Sequence, residues 1–85
     1  MPAHESTLVF EYDSPHRAAT VERSVEREVG EIDGGRSSAR VTRDGAVVTV
    51  RIDARDLVAL RAGQNTWTTL VGVAEAAMAT GERYR

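Results

Sequence analysis

The stretch 62–74 contains no charged side chain. The sequence predicts that it lies in a helix that begins near Asp56, a suitable N-cap or first-turn acid. This helix reaches about Ala79, with Gly81 beyond it as a stop signal. Threonine, glutamine and asparagine interrupt the stretch, which is too short and too polar to span a membrane. Such a helix must be buried against the rest of its chain or against a partner.

The predicted helix carries apolar or small residues along two seams at 3–4 spacing. The first seam consists of Leu57, Leu60, Gln64, Trp67, Val71, Ala74 and Met78. The second consists of Ala59, Ala62, Gly63, Thr66, Leu70, Val73 and Ala77, whose small members would let another backbone approach closely. A chain this short buries only about 60–65% of the surface that its unfolded form exposes. We therefore expect the second seam to contact another chain, the alternative being burial within its own.

The first part of the chain predicts a strand and a helix. Thr7 to Tyr12 alternates in a way typical of a strand with one buried face. Ser14 followed by Pro15 is typical of a helix start, because Ser14 can cap the first turn and proline lacks an N–H that would be unpaired there. The helix is predicted to reach about Val29, and its single apolar stripe consists of Ala18, Val21, Val25 and Val29.

An acidic, glycine-containing connection, 30–35, precedes a predicted β-hairpin. A two-residue type I′ turn at Asp44-Gly45 would pair Val41 with Val48, Ala39 with Val50 and Thr42 with Val47. Apolar side chains then share one face of the sheet. The opposite face would carry Arg40, Thr42, Thr49 and Arg51.

These elements predict an α+β fold in the order β-α-β-β-α, with a three-stranded antiparallel sheet and two helices on one face. The composition, 41% hydrophobic and 28% charged, is that of a soluble globular protein and excludes a disordered chain. We expect a single domain, 1–85, with frayed ends at 1–5 and 80–85. The N-terminus has no signal-peptide pattern, so we expect a cytoplasmic protein.

Residues suited to catalysis or metal binding are scarce. The chain has no cysteine, which excludes thiolate metal sites and cysteine nucleophiles. His4 and His16 have no partner at metal-ligand spacing, and no serine lies in a nucleophile elbow. Glu31 and Asp33 lie among the glycines of the connection and would repel a phosphate. We therefore expect no catalytic, cofactor-binding or metal site, and no enzymatic activity by the chain alone.

Three polar residues stand out near the start of the last helix: Asp56, Arg61 and Asn65. An arginine inside a mostly apolar helix must find acceptors or extend to water. Two interpretations stay open. Either Arg61 pairs with a nearby acid and Asn65 bonds a strand or loop backbone, or these side chains bind a partner.

The segment 54–67, ARDLVALRAGQNTW, resembles the most characteristic segment of the small dimerising subunit of the archaeal and eukaryotic KEOPS complex. That family's pattern is Ala-x-Asp, then Ala-Leu-Arg-Ala, then Asn followed by a small residue and an aromatic. The matching positions are Asp56, Leu60, Arg61, Ala62, Asn65 and Trp67. Arg36-Ser37 and the order of elements over 7–79 also resemble the family. The sequence departs from it at 29–32, where many members carry Pro-Glu.

This resemblance implies a function that the spacing of residues does not. KEOPS transfers a threonylcarbamoyl group to N6 of the adenosine next to the anticodon in tRNAs that read ANN codons. The resemblance implies a non-catalytic subunit that pairs with itself and binds the sugar-kinase-like catalytic subunit. Self-pairing could use an exposed sheet edge, which would extend three strands to six, or a helix seam. The helix seam expected to bind that partner comprises Ala59, Gly63, Thr66, Leu70 and Val73. All eleven basic residues are arginine, which would suit a haloarchaeal member.

Two alternatives belong to other classes. A KH-like nucleic-acid module needs a basic Gly-x-x-Gly clamp, which is absent, and the net charge of -2 argues against a generic nucleic-acid binder. A stand-alone homodimer is the second alternative. A direct tRNA contact would use four arginines on or near the open sheet face, Arg36, Arg40, Arg43 and Arg51, without aromatic residues for stacking.

Overall fold

The computed structural model describes residues 4–29 and 36–83. The elements are β1 (His4–Glu11), α1 (Pro15–Glu26), β2 (Ser37–Asp44), β3 (Val47–Ala54) and α2 (Leu57–Arg83). The three strands form one antiparallel sheet in the order β1-β3-β2. The predicted α+β fold and its order β-α-β-β-α are confirmed. The acidic connection predicted at 30–35 lies outside the described residues.

The core lies between the two helices and one face of the sheet. Alternate residues of β3 point into it, as the period of two in a strand requires. The largest side chains that are fully buried are Trp67, Ile52, Val21, Val25, Val48, Val50 and Val71. Trp67 is the largest of them and only 1% exposed, so it fills the space between α2 and the sheet. Neither helix in the described part of the chain is long and apolar enough to cross a bilayer.

The N-terminal strand is longer than predicted. β1 begins at His4, before the predicted Thr7, because its backbone pairs with the end of β3 as far as Ala54. Residues 4 and 5, which belong to the segment 1–5 predicted to be frayed, are part of this strand.

The last helix also continues past its predicted end. α2 runs through Gly81 to Arg83, and the guanidinium of Arg17 in α1 binds the carboxylate of Glu82. This contact joins the last turn of the helix to α1, so the helix does not stop at Gly81 and includes residues 80–83 of the segment predicted to be frayed.

The first helix ends earlier than predicted. Ser14 caps α1 as expected, with its Oγ accepting the N–H of Arg17 at 3.1 Å. The helix closes at Glu26 rather than near Val29, because the N–H of Glu28 bonds the carbonyl of Val25 at i+3 instead of i+4. Val29 still packs against the core, as the predicted apolar stripe requires.

The hairpin register differs from the prediction by two residues. The turn is Gly45-Ala46, so Val41 pairs with Val50 and Asp44 pairs with Val47. Gly45 has a φ of +60° at the first central position and Ala46 does not share that positive φ. This combination is typical of a type II′ turn rather than the predicted type I′. A shift of this size leaves every side chain on its predicted face, so the assignment of the two faces is confirmed.

Candidate interaction surface

Asp56 caps the helix that carries the family-like motif. Its Oδ1 accepts the N–H of Ala59 at 2.7 Å, and its Oδ2 accepts a bond from Nη2 of Arg36 at 2.6 Å. The Ala59 N–H, and after it the Arg36 guanidinium, hold the pKa of this carboxyl below its ordinary value. Asp56 is therefore placed to start α2 and to hold the residue before β2 against it.

Arg61 and Asn65 have a different environment from Asp56. Both side chains are exposed, and neither makes a hydrogen bond or an ion pair with any described residue. The interpretation in which Arg61 pairs with an acid and Asn65 with backbone is wrong within the described part of the chain. Both polar groups are available to bind another molecule.

The first predicted seam faces the protein's own core. Leu60, Trp67, Val71 and Ala74 are buried, and Met78 packs against the core. Gln64 is half-buried, and its Nε2 donates to Oγ of Ser6 in β1 at 2.7 Å. Leu57, at 52% exposed, is the member of this seam that leaves the core.

The second predicted seam is divided by the structure. Ala59 and Gly63 are buried against the sheet, and a Cβ on Gly63 would lie 3.1 Å from Cγ2 of Ile52. The close backbone approach expected at Gly63 is therefore made to the protein's own β3, not to a partner. Ala62, Val73 and Ala77 are exposed, whereas Thr66 and Leu70 are half-buried and Leu70 packs against the core.

A single exposed stripe remains along α2, and we call it the outer face of α2. It consists of Val58, Ala62, Asn65, Thr69, Gly72, Val73 and Ala76, with Arg61 beside it. Val58 is 71% exposed and Val73 is 62% exposed. Valine is usually buried in globular proteins, so these two side chains stand out on the surface. Because the stripe is small and uncharged, another helix could pack closely on it.

A groove adjoins this stripe at the N-terminal half of α2. Its volume is about 230 Å³, and its walls are the start of β2 on one side and α2 on the other. The lining residues are Arg36, Ser37, Val58, Ala59, Ala62, Gly63 and Thr66. The groove therefore joins the outer face of α2 to the free edge of β2.

The four arginines predicted to contact tRNA do not form one patch. Arg36 binds Asp56, and Arg43 binds Glu22 of α1 at 3.1 Å on the helix side of the sheet. Arg51 binds Glu5 and lies 3.6 Å from Asp53.

Arg40 and Arg51 alone share the open face, where they lie opposite each other on β2 and β3. Arg40 has no ionic partner among the described residues. The paired acids reduce the positive potential that a nucleic acid would require.

Two contacts at the C-terminal half of α2 were absent from the sequence-based predictions. The hydroxyl of Tyr12 donates to Oε2 of Glu75 at 2.6 Å, and Arg17 binds Glu82. The partners are more than sixty positions apart, and no local pattern marks them. Within residues 4–29 and 36–83, no group of three or more His, Cys, Asp or Glu side chains could hold a metal ion.

Comparisons with known proteins match this fold. Residues 5–79 match the family described as "Transcription factor Pcc1". No curated protein matches the chain. A solved structure described as "Crystal structure of binary complex Gon7-Pcc1" contains a chain that is 16% identical, with a TM-score of 0.80 over 94% of this chain and 98% of that chain. At this identity the likeness extends to the fold alone.

Proposed function

This chain belongs to the Pcc1 family of small KEOPS subunits, and from that membership we propose that it acts as a non-catalytic assembly subunit. In this role it pairs with a second copy of itself and binds the sugar-kinase-like catalytic subunit. It thereby supports the N6-threonylcarbamoylation of the adenosine next to the anticodon in ANN-decoding tRNAs.

The outer face of α2 is the observation that carries this proposal. Two valines on it, Val58 and Val73, are largely exposed, and no charged residue interrupts 62–74. Helices of a partner subunit that pack here would remove this apolar area from water, which is worth about 25 cal/mol per Å². Small residues such as Ala62 and Gly72 allow the two helix axes to approach closely.

Arg61 and Asn65 give this surface its specificity. Each is exposed on the outer half of α2 and has no partner among the described residues. On an otherwise apolar stripe, such groups favour the one docking register that satisfies their hydrogen bonds. We assign both to the interface and Asp56 to the cap of the helix.

Self-pairing would use a free strand edge. β3 is the central strand, so β1 and β2 each have one edge that no described strand covers. Pairing two copies along such an edge would extend three strands to six. The described relative, solved as a binary complex of Gon7 and Pcc1, is itself in contact with another protein, which supports a binding role for this fold.

Co-purification of the catalytic subunit with the Val73→Asp variant tests the proposal. A carboxylate in the middle of the outer face should abolish or strongly reduce recovery of the catalytic subunit, because it would be desolvated without a partner. Val9→Asp is the matched control, since Val9 is 58% exposed on β1 and lies on the open face of the sheet, away from both helices. The control should bind as the wild type does.

Circular dichroism and thermal melting establish that both variants are folded. If folded Val73→Asp retained the catalytic subunit as well as Val9→Asp does, the outer face of α2 would not be the contact. Loss with both variants would point to a general effect of added charge and would also count against the assignment.

A nucleic-acid-binding role is the weaker candidate. The word "transcription factor" in the family description implies such a role, but three of the four candidate arginines are matched by acids within the fold. Salt-dependent RNA binding by the isolated protein that is lost in the Arg40→Ala, Arg51→Ala double variant would favour it.

A further inference from the structure

A second groove lies at the opposite end of α2, where it packs against α1. Its volume is about 340 Å³. One wall is a face of α1 and the other is the end of α2; the lining residues are His16, Thr20, Arg23, Met78, Gly81 and Glu82. It does not include any residue of the outer face of α2, so the proposed function does not use it.

The α1 wall of this groove carries the cation Arg23. His16, Thr20 and Arg23 follow one another at helical spacing and so line the same side of α1. Arg23 makes no ion pair with any described residue, whereas Arg17 on the same helix binds a carboxylate. The guanidinium of Arg23 therefore offers unused hydrogen-bond donors at the groove.

Glu82 is the acid among the described residues that line the groove, and it is bound within the fold. It receives two bonds from Arg17, which also lies 3.4 Å from Asp13. The guanidinium of Arg23 has no such partner among the described residues, so it is the group that an anionic ligand could bind.

The rest of the groove suits an aliphatic group. Met78 is half-buried on the α2 wall and offers a flexible thioether chain that adapts to irregular shapes. Gly81 has no heavy atom within 4 Å of where a Cβ would stand, so the wall is low there and a ligand can approach the helix backbone. Thr20 donates its hydroxyl to the carbonyl of His16 at 3.0 Å, which leaves the oxygen free to accept a bond.

We propose that this groove is a docking site for an acidic segment of a protein partner. The carboxylate of a glutamate or aspartate lies between Arg23 and His16, and an adjacent aliphatic side chain packs on Met78. The site is separate from the outer face of α2, so two partners can be bound at once.

The experiment is an amide-resolved NMR titration of the full chain with two short probes at low ionic strength. The first probe is the acetylated dipeptide amide of leucine and glutamate, and the second replaces glutamate with glutamine. The first should cause saturable shifts confined to residues around His16, Arg23, Met78 and Gly81. The second should bind roughly fivefold more weakly, since it lacks the charge that an exposed ion pair rewards.

Arg23→Ala should weaken binding of the first probe by about the same factor, roughly fivefold, and abolish the difference between the two probes. Arg27→Ala is the matched control, because Arg27 lies at the end of the same helix and does not line the groove. Equal binding of the two probes, an unchanged affinity in Arg23→Ala, or shifts that are scattered over the surface would each overturn the proposal.

Discussion

Residues of the segment 54–67 divide into those that bond within the fold and those that we propose to contact a partner. Asp56 is used within the chain, as its bonds to Ala59 and Arg36 require, while Arg61 and Asn65 are not. The cap could be predicted from sequence, because an acid before an apolar run is a local signal. The hydrogen bond between Tyr12 and Glu75 could not be predicted from sequence. It depends on how the end of β1 is placed against α2, which lies far away in the sequence.

Tyr12→Phe should destabilise the protein by about 1 kcal/mol near neutral pH, since it removes one half-buried hydrogen bond to a carboxylate. Burial and the Glu75 carboxylate raise the pKa of Tyr12 well above its ordinary value of 10.0. The phenol of the folded protein therefore stays neutral after that of the unfolded chain has ionised. The stability that Tyr12 contributes is complete below pH 10 and is lost as the pH rises toward the folded pKa.

Urea unfolding of the wild type and Tyr12→Phe over a range of alkaline pH values measures this effect. The two free energies of unfolding should converge as the pH rises above 10. If the difference between the two free energies of unfolding did not depend on pH, burial and the Glu75 carboxylate would not raise the pKa of Tyr12 in the folded protein.

At the scale of elements, the sequence determined which segments are strands and helices, and which faces they bury. It was less informative about where elements end and how they pair. The predicted hairpin register differs from the structure by two residues because Asp44-Gly45 and Gly45-Ala46 both suit a tight turn. A positive φ at Gly45 fits either turn, and the two are separated by Asp44, which lacks the positive φ of a type I′ turn and pairs with Val47. The sequence predicts that α2 ends before Gly81. In the structure the contact of Glu82 with α1 outweighs the low helix propensity of glycine, and the helix continues.

Two of the three glycines inside α2, Gly63 and Gly72, should respond in opposite ways to alanine. Gly72→Ala should stabilise the protein by about 0.5–1 kcal/mol, because the site is open and alanine is the better helix former. Gly63→Ala gains the same propensity but places its Cβ 3.1 Å from Cγ2 of Ile52, a stiff side chain buried in the central strand. Overpacking of this kind costs about 1–3 kcal/mol, so the variant should be less stable than the wild type.

Urea midpoints of the two variants at constant m-value test this prediction. Equal stabilisation by both substitutions would mean that β3 moves freely away from α2. The result therefore measures how rigidly β3 holds α2, and with it the outer face of α2.

At the scale of the whole molecule, the protein is elongated, with extents of 44 × 21 × 17 Å. α2 contributes much of the long dimension, since its 27 residues are longer than any strand of the sheet. An elongated domain of 85 residues has a high ratio of surface to volume, so association with a second copy would add to the burial that its own core provides.

The thermal midpoint should therefore depend on protein concentration. If two copies pair as proposed, a hundredfold increase in concentration should raise the midpoint by several degrees, because association stabilises only the folded state. Sedimentation at the same concentrations should give the mass of a dimer. A midpoint that does not change, together with the mass of a monomer, would contradict self-pairing.

The order of the strands has a consequence for synthesis on the ribosome. β1 is made first, but among the described strands its neighbour is β3, so His4 must wait for Ala54 to find its pairing partner. The β2–β3 hairpin, by contrast, is local and closes rapidly once both strands have emerged. Nascent chains that stop before β3 should therefore leave β1 without a partner and be open to proteases. Protection should not begin before Ala54 has left the exit tunnel, and it should be complete only when α2, which supplies Trp67 and Val71 to the core, has followed.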